Sequence, residues 1–167
     1  MRVTGYAFKL GDNISTDDII AGRYLYITDP GELAMHIFEN RPEIRSRILR
    51  ARRPIVIVAG RGFGYGSSRE HAPLALKAFG VKAIVVDSFH RIFYRNSINN
   101  GLLAVEAPGV HDLVEEGEMV TIDLDRGVVE SSRGIIHIGE VPGYVRGILE
   151  AGGLREVLRR LAGSQRV

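Results

Sequence analysis

The stretch that decides the fold is PIVIVAGRGFGYGSSREHAPLALKAFG, residues 54–80. The uninterrupted β-branched run at 55–59 predicts a strand covered on both faces. Apolar residues at 72, 75, 76 and 79 recur at helical spacing, and Gly80 ends the run. Between strand and helix, glycines at 60, 62, 64 and 66 allow positive φ and close approach of the backbone, at an entropic cost that a plain connector would avoid. We therefore expect this loop to hold the chemistry.

Two serines and an arginine, Ser67, Ser68 and Arg69, follow the glycines. Ser67 with Glu70 matches a capping box. Pro73 would then lie at the sixth helical position, where it costs about 3 kcal/mol, against about 1 kcal/mol from a cap. The helix is therefore expected to begin around Glu70 or His71, which leaves the turn with free backbone N–H groups. Such groups, two hydroxyls, a guanidinium and a helix N-terminus suit a bound anion.

The rest of the chain to residue 106 predicts an α/β fold. Strands are expected at 3–8, 83–87 and 102–106, and their alternation with helices implies a parallel sheet with right-handed crossovers. Asp29 and Pro30 begin one helix. A second helix after Pro42 is expected to turn residues 44, 48 and 49 inward. Ser88 is expected to cap a third, with residues 89, 92 and 93 on its apolar face.

Beyond Pro108 the pattern changes to short alternating strands, at 120–124 and 136–138, and a closing amphipathic helix with apolar positions 154, 157, 158 and 161. We therefore predict one domain over residues 1–167. Its sheet is mostly parallel, with a small antiparallel β section and a C-terminal helix within residues 107–162. The polar loop at 11–30 is rich in turn-forming residues, so it is either an ordered loop or a functional one.

Composition bounds the function of this 167-residue chain, which has 45% hydrophobic residues, a net charge of +2 and no cysteine. Without thiolates it offers no ligands for an iron–sulfur cluster. It has no 18-residue apolar run and no signal peptide, so a cytoplasmic protein without a membrane partner is expected. An arginine cluster at 45–53 could touch nucleic acid or be a solvated helix face. The absence of stacking aromatics and of a binding motif favours the solvated face, hence no nucleic-acid partner.

Spacing excludes several common sites. The glycines of residues 60–66 do not form G-x-G-x-x-G, and no lysine ends the loop as in a P-loop. Ser67 and Ser68 do not lie in G-x-S-x-G. The five histidines have no metal-ligand spacing, so no metal site is expected in this chain.

Three segments in order resemble the swivelling domain of the aconitase superfamily. GFGYGSSREHA (62–72) is similar to its G-S-S-R-E-H signature, GDNISTDDI (11–19) to its opening motif, and AIVVDSFHRIFYRNSINNGLL (83–103) to its third segment. The resemblance covers residues 3–106 and is to the family of small subunits of 3-isopropylmalate dehydratase and its homoaconitase relatives. The C-terminal third carries no such motif.

The resemblance implies a two-part enzyme. A large catalytic subunit, paired as a heterodimer or heterotetramer, would carry a [4Fe–4S] cluster whose open iron takes a hydroxyl from a di- or tricarboxylate. This chain would bind no cofactor and would be inactive alone. Ser67 would be the general base, while Ser68 and Arg69 would bind a substrate carboxylate. Asp17, with Thr16, would support the site by orienting Arg69 or a group on the partner.

Substrate choice is expected to depend on the loop after the opening motif. In the family this loop meets the variable group of the substrate, and an arginine there suits an extra carboxylate. Tyr26 occupies that position here and offers apolar contact, which favours isopropylmalate and leucine biosynthesis. A homoaconitase-type substrate remains an alternative, because the loop could bring Arg23 inward. Tyr24 and Tyr26 could instead be core residues. A noncatalytic anion-binding module on the same fold remains a further alternative.

Overall fold

Residues 1–164 are described by the computed structural model, in which seven strands form one mixed sheet in the order β4-β3-β2-β1-β5-β6-β7. The domain predicted for 1–167 is thus described as far as residue 164. The strands are β1 Arg2–Lys9, β2 Ile55–Ala59, β3 Val81–Val86, β4 Leu103–Glu106, β5 Met119–Asp123, β6 Val128–Ser131 and β7 Gly134–His137. The helices are α1 Thr16–Ile19, α2 Pro30–Ala34, α3 Pro42–Ile48, α4 His71–Phe79, α5 Arg91–Asn99, α6 Val110–Leu113, α7 Gly143–Ala151 and α8 Leu154–Ser164, with a 3₁₀ helix at Gly22–Tyr24.

The first four strands are parallel, as predicted, and β2 lies inside them. Every residue of β2 is buried. Ile55 and Ile57 pack into one apolar cluster, while Val56 and Val58 pack into a second cluster on the opposite face of the sheet. A strand covered on both faces has no polar alternation, which is why this run could be identified from its composition.

Helix α4 begins at His71 and ends at Phe79, and the next residue, Gly80, has a φ of 109°, the left-handed conformation typical of a residue that terminates a helix. Glu70 is the N-cap, and no side chain caps this end of the helix. The capping box with Ser67 is therefore not formed. The start predicted from Pro73 is confirmed, and residues 67–69 lie on the turn before the helix.

Three predictions in the helical layer are wrong. Ile92, expected on the apolar face of the helix after β3, is 50% exposed. Ser88 does not cap α5, because the residues around it run beside the glycine-rich loop: Phe63 N donates to Ser88 O and His90 N donates to Phe63 O. The helix consequently begins only at Arg91. Leu49 does not face inward either, since α3 ends at the preceding residue and Leu49 is 55% exposed.

The antiparallel section continues the main sheet, because β5 pairs with β1. Helix α7 precedes the predicted closing helix α8 and was not expected from the sequence. Its residues Val145 and Leu149 pack against the same cluster as β5. On α8 the apolar side chain of Leu158 remains more than half exposed. Among residues 1–164, no helix combines the length and apolar character needed to cross a bilayer.

The arginine cluster binds groups of the chain itself. The clearest contacts are to main-chain oxygens: Arg45 donates to Ile37 O and Arg53 to Phe79 O at the end of α4. A cation there is favourably placed against the helix dipole. The other members also bond internally, Arg47 to Lys9 O, Arg50 to Ser46 and Arg52 to the Tyr6 hydroxyl. These guanidinium groups tie helices and strands together.

Replacing Gly64 by alanine should destabilise the fold. Gly64 has φ 81°, and a Cβ on it would lie 2.2 Å from Cγ of Phe93. Both the left-handed backbone and the fully buried ring resist the added atom, so we expect a loss of about 2 kcal/mol or more in the free energy of unfolding. Thermal and urea unfolding of Gly64→Ala measure it. Gly139→Ala is the matched control, because nothing lies within 4 Å of its Cβ position; equal stability of the two variants would contradict the prediction.

Candidate functional site

Three loops meet at the edge of the sheet where the parallel strands end. They are the opening loop (residues 10–19) after β1, the glycine-rich loop (residues 60–70) after β2, and residues 87–90 after β3. Because β1, β2 and β3 are adjacent and parallel, their carboxyl ends lie side by side. This edge is where open α/β sheets commonly bind ligands. The topology thus brings the opening loop beside the glycine-rich loop, which begins more than forty residues later in the chain.

Backbone hydrogen bonds join the opening loop to the glycine-rich loop beyond the ends of the strands. Asn13 N donates to Arg61 O at 2.8 Å, Gly64 N to Ile14 O at 2.7 Å and Thr16 N to Tyr65 O at 2.9 Å. These bonds satisfy main-chain groups that would otherwise be buried without partners. They place α1 beside the turn that carries the two serines.

The glycines make this close approach possible. Gly62, Gly64 and Gly66 all have positive φ. Gly60 is needed for a different reason: a Cβ there would lie 1.8 Å from Oδ1 of Asp12, which accepts a hydrogen bond from Arg61 N. Phe63 anchors the loop from below, fully buried with its ring centroid 5.3 Å from that of Phe93.

The turn of residues 67–69 presents unpaired polar groups. Ser67 and Ser68 are both exposed. Within residues 1–164, neither serine hydroxyl has a partner, and no acceptor pairs with the backbone N–H groups of residues 67–69. The turn is held from its other side, where Thr16 Oγ1 donates to Ser67 O at 3.2 Å. These groups stand directly before α4, whose N-terminus carries a partial positive charge.

Arg69 points away from solvent and toward the opening loop. Its side chain is only 16% exposed, and Nη1 donates to Asp17 Oδ1 at 2.8 Å and to Ile20 O at 3.1 Å. Its Nε is buried without a partner in the part of the chain that the structure describes. Among residues 1–164, Nη2 has no hydrogen-bond partner either, although it lies against Gly22. The guanidinium is therefore fixed at one nitrogen and has donors left for an anion.

Asp17 completes the ion pair with Arg69. The hydrogen bond from Arg69 lowers the pKa of the Asp17 carboxyl below its usual value; partial burial raises it, and the Gly22 N–H and Asn40 lower it further. Asp17 Oδ1 accepts from Gly22 N at 3.1 Å, and its Oδ2 accepts from Asn40 Nδ2 at 3.1 Å. A carboxylate with these partners stays ionised at neutral pH, so the pair with Arg69 is charged.

The residues of the loop expected to contact the substrate differ in exposure and in hydrogen-bond partners. Tyr26 is 77% exposed and is not a core residue. Tyr24 is half-buried: it stacks on the His36 ring at 4.0 Å and its hydroxyl donates to Glu39. Arg23 donates to Glu39 Oε2 at 3.3 Å and to Asn40 Oδ1 at 3.0 Å, so its charge is compensated.

Three residues of the site were missed from the sequence. Glu39 and Asn40 bind the loop of Arg23, and Ser88 Oγ accepts from Gly62 N at 3.0 Å. Glu39 and Asn40 lie between two helices in no recognisable motif, and the neighbouring hydrogen bond from Phe38 N to Ile19 O holds this segment beside α1. Ser88 lies in the family-like segment 83–103, but its local sequence preference predicts a helix cap instead.

The described residues offer no metal site of their own. Within 1–164, no three histidine, aspartate or glutamate side chains gather as ligands, and the whole sequence contains no cysteine. What the arrangement can do is hold an anion at residues 67–69, with an exposed hydroxyl beside it that could exchange a proton.

Comparison with known proteins gives consistent results. The family model of the aconitase C-terminal domain matches residues 15–109. A 3-isopropylmalate dehydratase small subunit 1 of Methanopyrus kandleri is 47% identical, covering 95% of this chain and 93% of the relative. A 3-isopropylmalate dehydratase small subunit 1 of Archaeoglobus fulgidus is 46% identical, covering 94% of this chain and 97% of the relative. The crystal structure of 3-isopropylmalate dehydratase from Methanocaldococcus jannaschii superposes with a TM-score of 0.84 at 42% identity, covering all of both chains. The likeness thus extends through the C-terminal third.

Glu39 should stabilise the fold in a pH-dependent way. Burial raises its pKa, but hydrogen bonds from Tyr24, His36 and Arg23 outweigh it and lower the pKa from 4.5 to about 2. A depressed pKa means that the stabilisation is complete above about pH 4.5 and is lost as the pH falls toward 2. At pH 7 the free energy of unfolding of Glu39→Gln should therefore be lower than that of the unsubstituted protein by about 1 kcal/mol or more. This difference in stability should disappear in acid.

Urea unfolding at several pH values measures this gap. Glu140→Gln serves as control, because Glu140 is exposed. A stability difference for Glu39→Gln that stays constant from pH 7 to pH 2 would contradict the assignment.

Proposed function

The chain belongs to the family of 3-isopropylmalate dehydratase small subunits, which are hydro-lyase subunits built on the aconitase C-terminal domain, and on this premise we propose that it completes the active site of a two-subunit enzyme. The proposed reaction interconverts 2-isopropylmalate and 3-isopropylmalate by removing and adding back water, in the cytoplasm, as a step of leucine biosynthesis. The proposed partner is a large catalytic subunit, in a heterodimer or heterotetramer.

The cluster chemistry of such an enzyme is proposed to belong to the partner. The residues of this chain do not fit a [4Fe–4S] cluster, since it has no cysteine and residues 1–164 contain no group of three side chains suited to a metal. This chain is therefore proposed to contribute through its own residues, which bind a carboxylate and move a proton.

Ser67 is the proposed general base. Dehydration needs a proton to leave the carbon next to the one that loses the hydroxyl, and we assign that proton to Ser67 Oγ. The observation that carries the proposal is an exposed hydroxyl at the N-terminus of α4, which has no partner among residues 1–164 and lies on a turn whose N–H groups also find no acceptor there. Positive potential there stabilises the ionised form of the serine, and it is this oxyanion that can accept a proton from carbon.

Ser68 and Arg69 are the proposed carboxylate ligands. Arg69 retains Nη2 as a donor while Asp17 holds Nη1 at 2.8 Å, so the guanidinium is positioned before substrate arrives. Thr16 supports the turn through its bond to Ser67 O. In this proposal Asp17 and Thr16 do not contact substrate; they fix the groups that do.

Tyr26 supports isopropylmalate as the substrate. Its exposed ring can cover an isopropyl group, and it brings no charge for a third carboxylate. Arg23, the residue that would favour a homoaconitase-type tricarboxylate, already donates to Glu39 and Asn40. Both terminal nitrogens of Arg23 are occupied by these bonds, whereas Nη2 of Arg69 has no partner among residues 1–164, so Arg23 has fewer donors to offer a further carboxylate.

Removing the Ser67 hydroxyl should abolish most of the activity. In the complex reconstituted with its cluster-bearing large subunit, Ser67→Ala should lower kcat about a thousandfold while KM changes little, because a general base acts in the transition state. Turnover of isopropylmalate measures the rate, and size-exclusion chromatography measures assembly.

Ser132→Ala, on the exposed turn between β6 and β7, is the matched control and should keep full turnover. Undiminished turnover of Ser67→Ala would remove Ser67 from this role. A wild-type complex that assembles without isopropylmalate turnover would favour the noncatalytic anion-binding module. The chain tested alone decides nothing, since both readings make it inactive.

Tyr26→Arg should shift substrate preference. We expect kcat/KM for homoaconitate relative to isopropylmalate to rise about tenfold or more, because the new guanidinium can pair with the third carboxylate. Tyr144→Arg adds the same charge at a tyrosine that is 74% exposed on α7 and should leave the ratio unchanged. A wild-type enzyme that prefers homoaconitate or citrate would overturn the choice of isopropylmalate.

A further inference from the structure

Asn40 joins the anion-binding turn to the loop that faces the substrate. Its Nδ2 donates to Asp17 O at 3.2 Å and to Asp17 Oδ2 at 3.1 Å, and its Oδ1 accepts from Arg23 Nη1 at 3.0 Å. Only this orientation of the amide satisfies both neighbours, since an ionised carboxylate only accepts hydrogen bonds and a guanidinium only donates them.

We propose that Asn40 is a positioning residue for substrate binding: it fixes the Asp17 carboxylate, which in turn holds the Arg69 guanidinium at the turn. The inference rests on the function proposed above, in which Arg69 binds a substrate carboxylate. Asn40 bonds the carboxylate oxygen of Asp17 that Arg69 does not, and it is given no contact with substrate.

The division of bonds on Asp17 supports this role. Oδ1 accepts from Arg69 and from Gly22 N, whereas Oδ2 accepts only from Asn40 among residues 1–164. Asn40 also binds the carbonyl of Asp17, so it restrains both the main chain and the side chain of that residue. Without it the carboxylate can rotate.

Arg69 has little else to hold it. Besides Asp17, its guanidinium bonds only Ile20 O within the described part of the chain, and Nε has no partner. A freed Asp17 therefore allows the guanidinium to move, which weakens binding of the carboxylate in ground state and transition state alike. The expected signature is a raised KM with kcat nearly unchanged.

Two substitutions separate the two ends of the Asn40 amide. Asn40→Ala loses both contacts. Asn40→Asp keeps an oxygen for Arg23 but turns a carboxylate toward Asp17, where like charges repel. Asn40→Asp should therefore be at least as impaired as Asn40→Ala if the contact with Asp17 matters, and close to wild type if Asn40 only restrains Arg23.

The kinetic test uses the reconstituted two-subunit enzyme and isopropylmalate. Asn40→Ala should raise KM about tenfold with kcat within about threefold of wild type. In an Asp17→Asn background the same substitution should add less than about twofold, because the two residues act through one contact. Asn99→Ala, an exposed asparagine in the last turn of α5, is the control and should keep the wild-type KM. An unchanged KM for Asn40→Ala, or a near-normal Asn40→Asp, overturns the proposal.

A second readout does not depend on activity. In the full chain alone, carboxyl-carbon NMR follows the titration of Asp17, whose charged surroundings are Arg69 from the glycine-rich loop, Arg23 through Asn40, and Asp18 with Arg41 beside it. Asn40→Ala should raise the pKa of Asp17, and Asn40→Asp should raise it further. An unchanged titration overturns the coupling between Asn40 and Asp17. A wild-type complex without isopropylmalate turnover contradicts the proposed function instead, and the titration then still decides the coupling.

Discussion

The backbone ladder between the opening loop and the glycine-rich loop is the interaction on which the candidate site depends. Strands β1 and β2 end at Lys9 and Ala59, yet hydrogen bonds between the two segments continue to Thr16 and Tyr65. The continuation needs a chain without side chains at alternate positions, because Asp12 and Phe93 occupy the space that Cβ atoms would fill at Gly60 and Gly64. The ladder sets the distance between Asp17 and Arg69.

That placement has an electrostatic consequence. Arg69 is largely removed from water, and Asp17 compensates part of its charge while the serine turn remains open. A buried guanidinium that is already oriented loses little freedom when an anion binds, which favours binding. On the neighbouring loop, Glu39 has a pKa of about 2 and compensates Arg23. Arg69 and Arg23 thus have different partners and different numbers of donors left for an anion.

Sequence reasoning succeeded where a local rule decides the structure. The buried run of β2 needed no knowledge of its neighbours, and Pro73 indicated the start of α4 because proline at an interior helical position is costly wherever it occurs. It failed where two segments compete for one residue. Ser88 suits a helix cap by local preference, but its hydroxyl accepts a hydrogen bond from Gly62 N. Because the residues next to it run beside the glycine-rich loop, α5 begins only at Arg91.

The sequence by itself determined the α/β class, the turn that carries Ser67 to Arg69 and, through its three motifs, the family. It could do so because hydrophobic periodicity, proline geometry and glycine content act within a few residues. Only the tertiary structure decided that Asp17 faces Arg69 and that Asn40 and Glu39 belong to the same hydrogen-bonded group. Residues far apart in the chain meet through strand order and loop path. No local preference encodes such a meeting, because the free energy that favours it comes from contacts the separate segments do not possess.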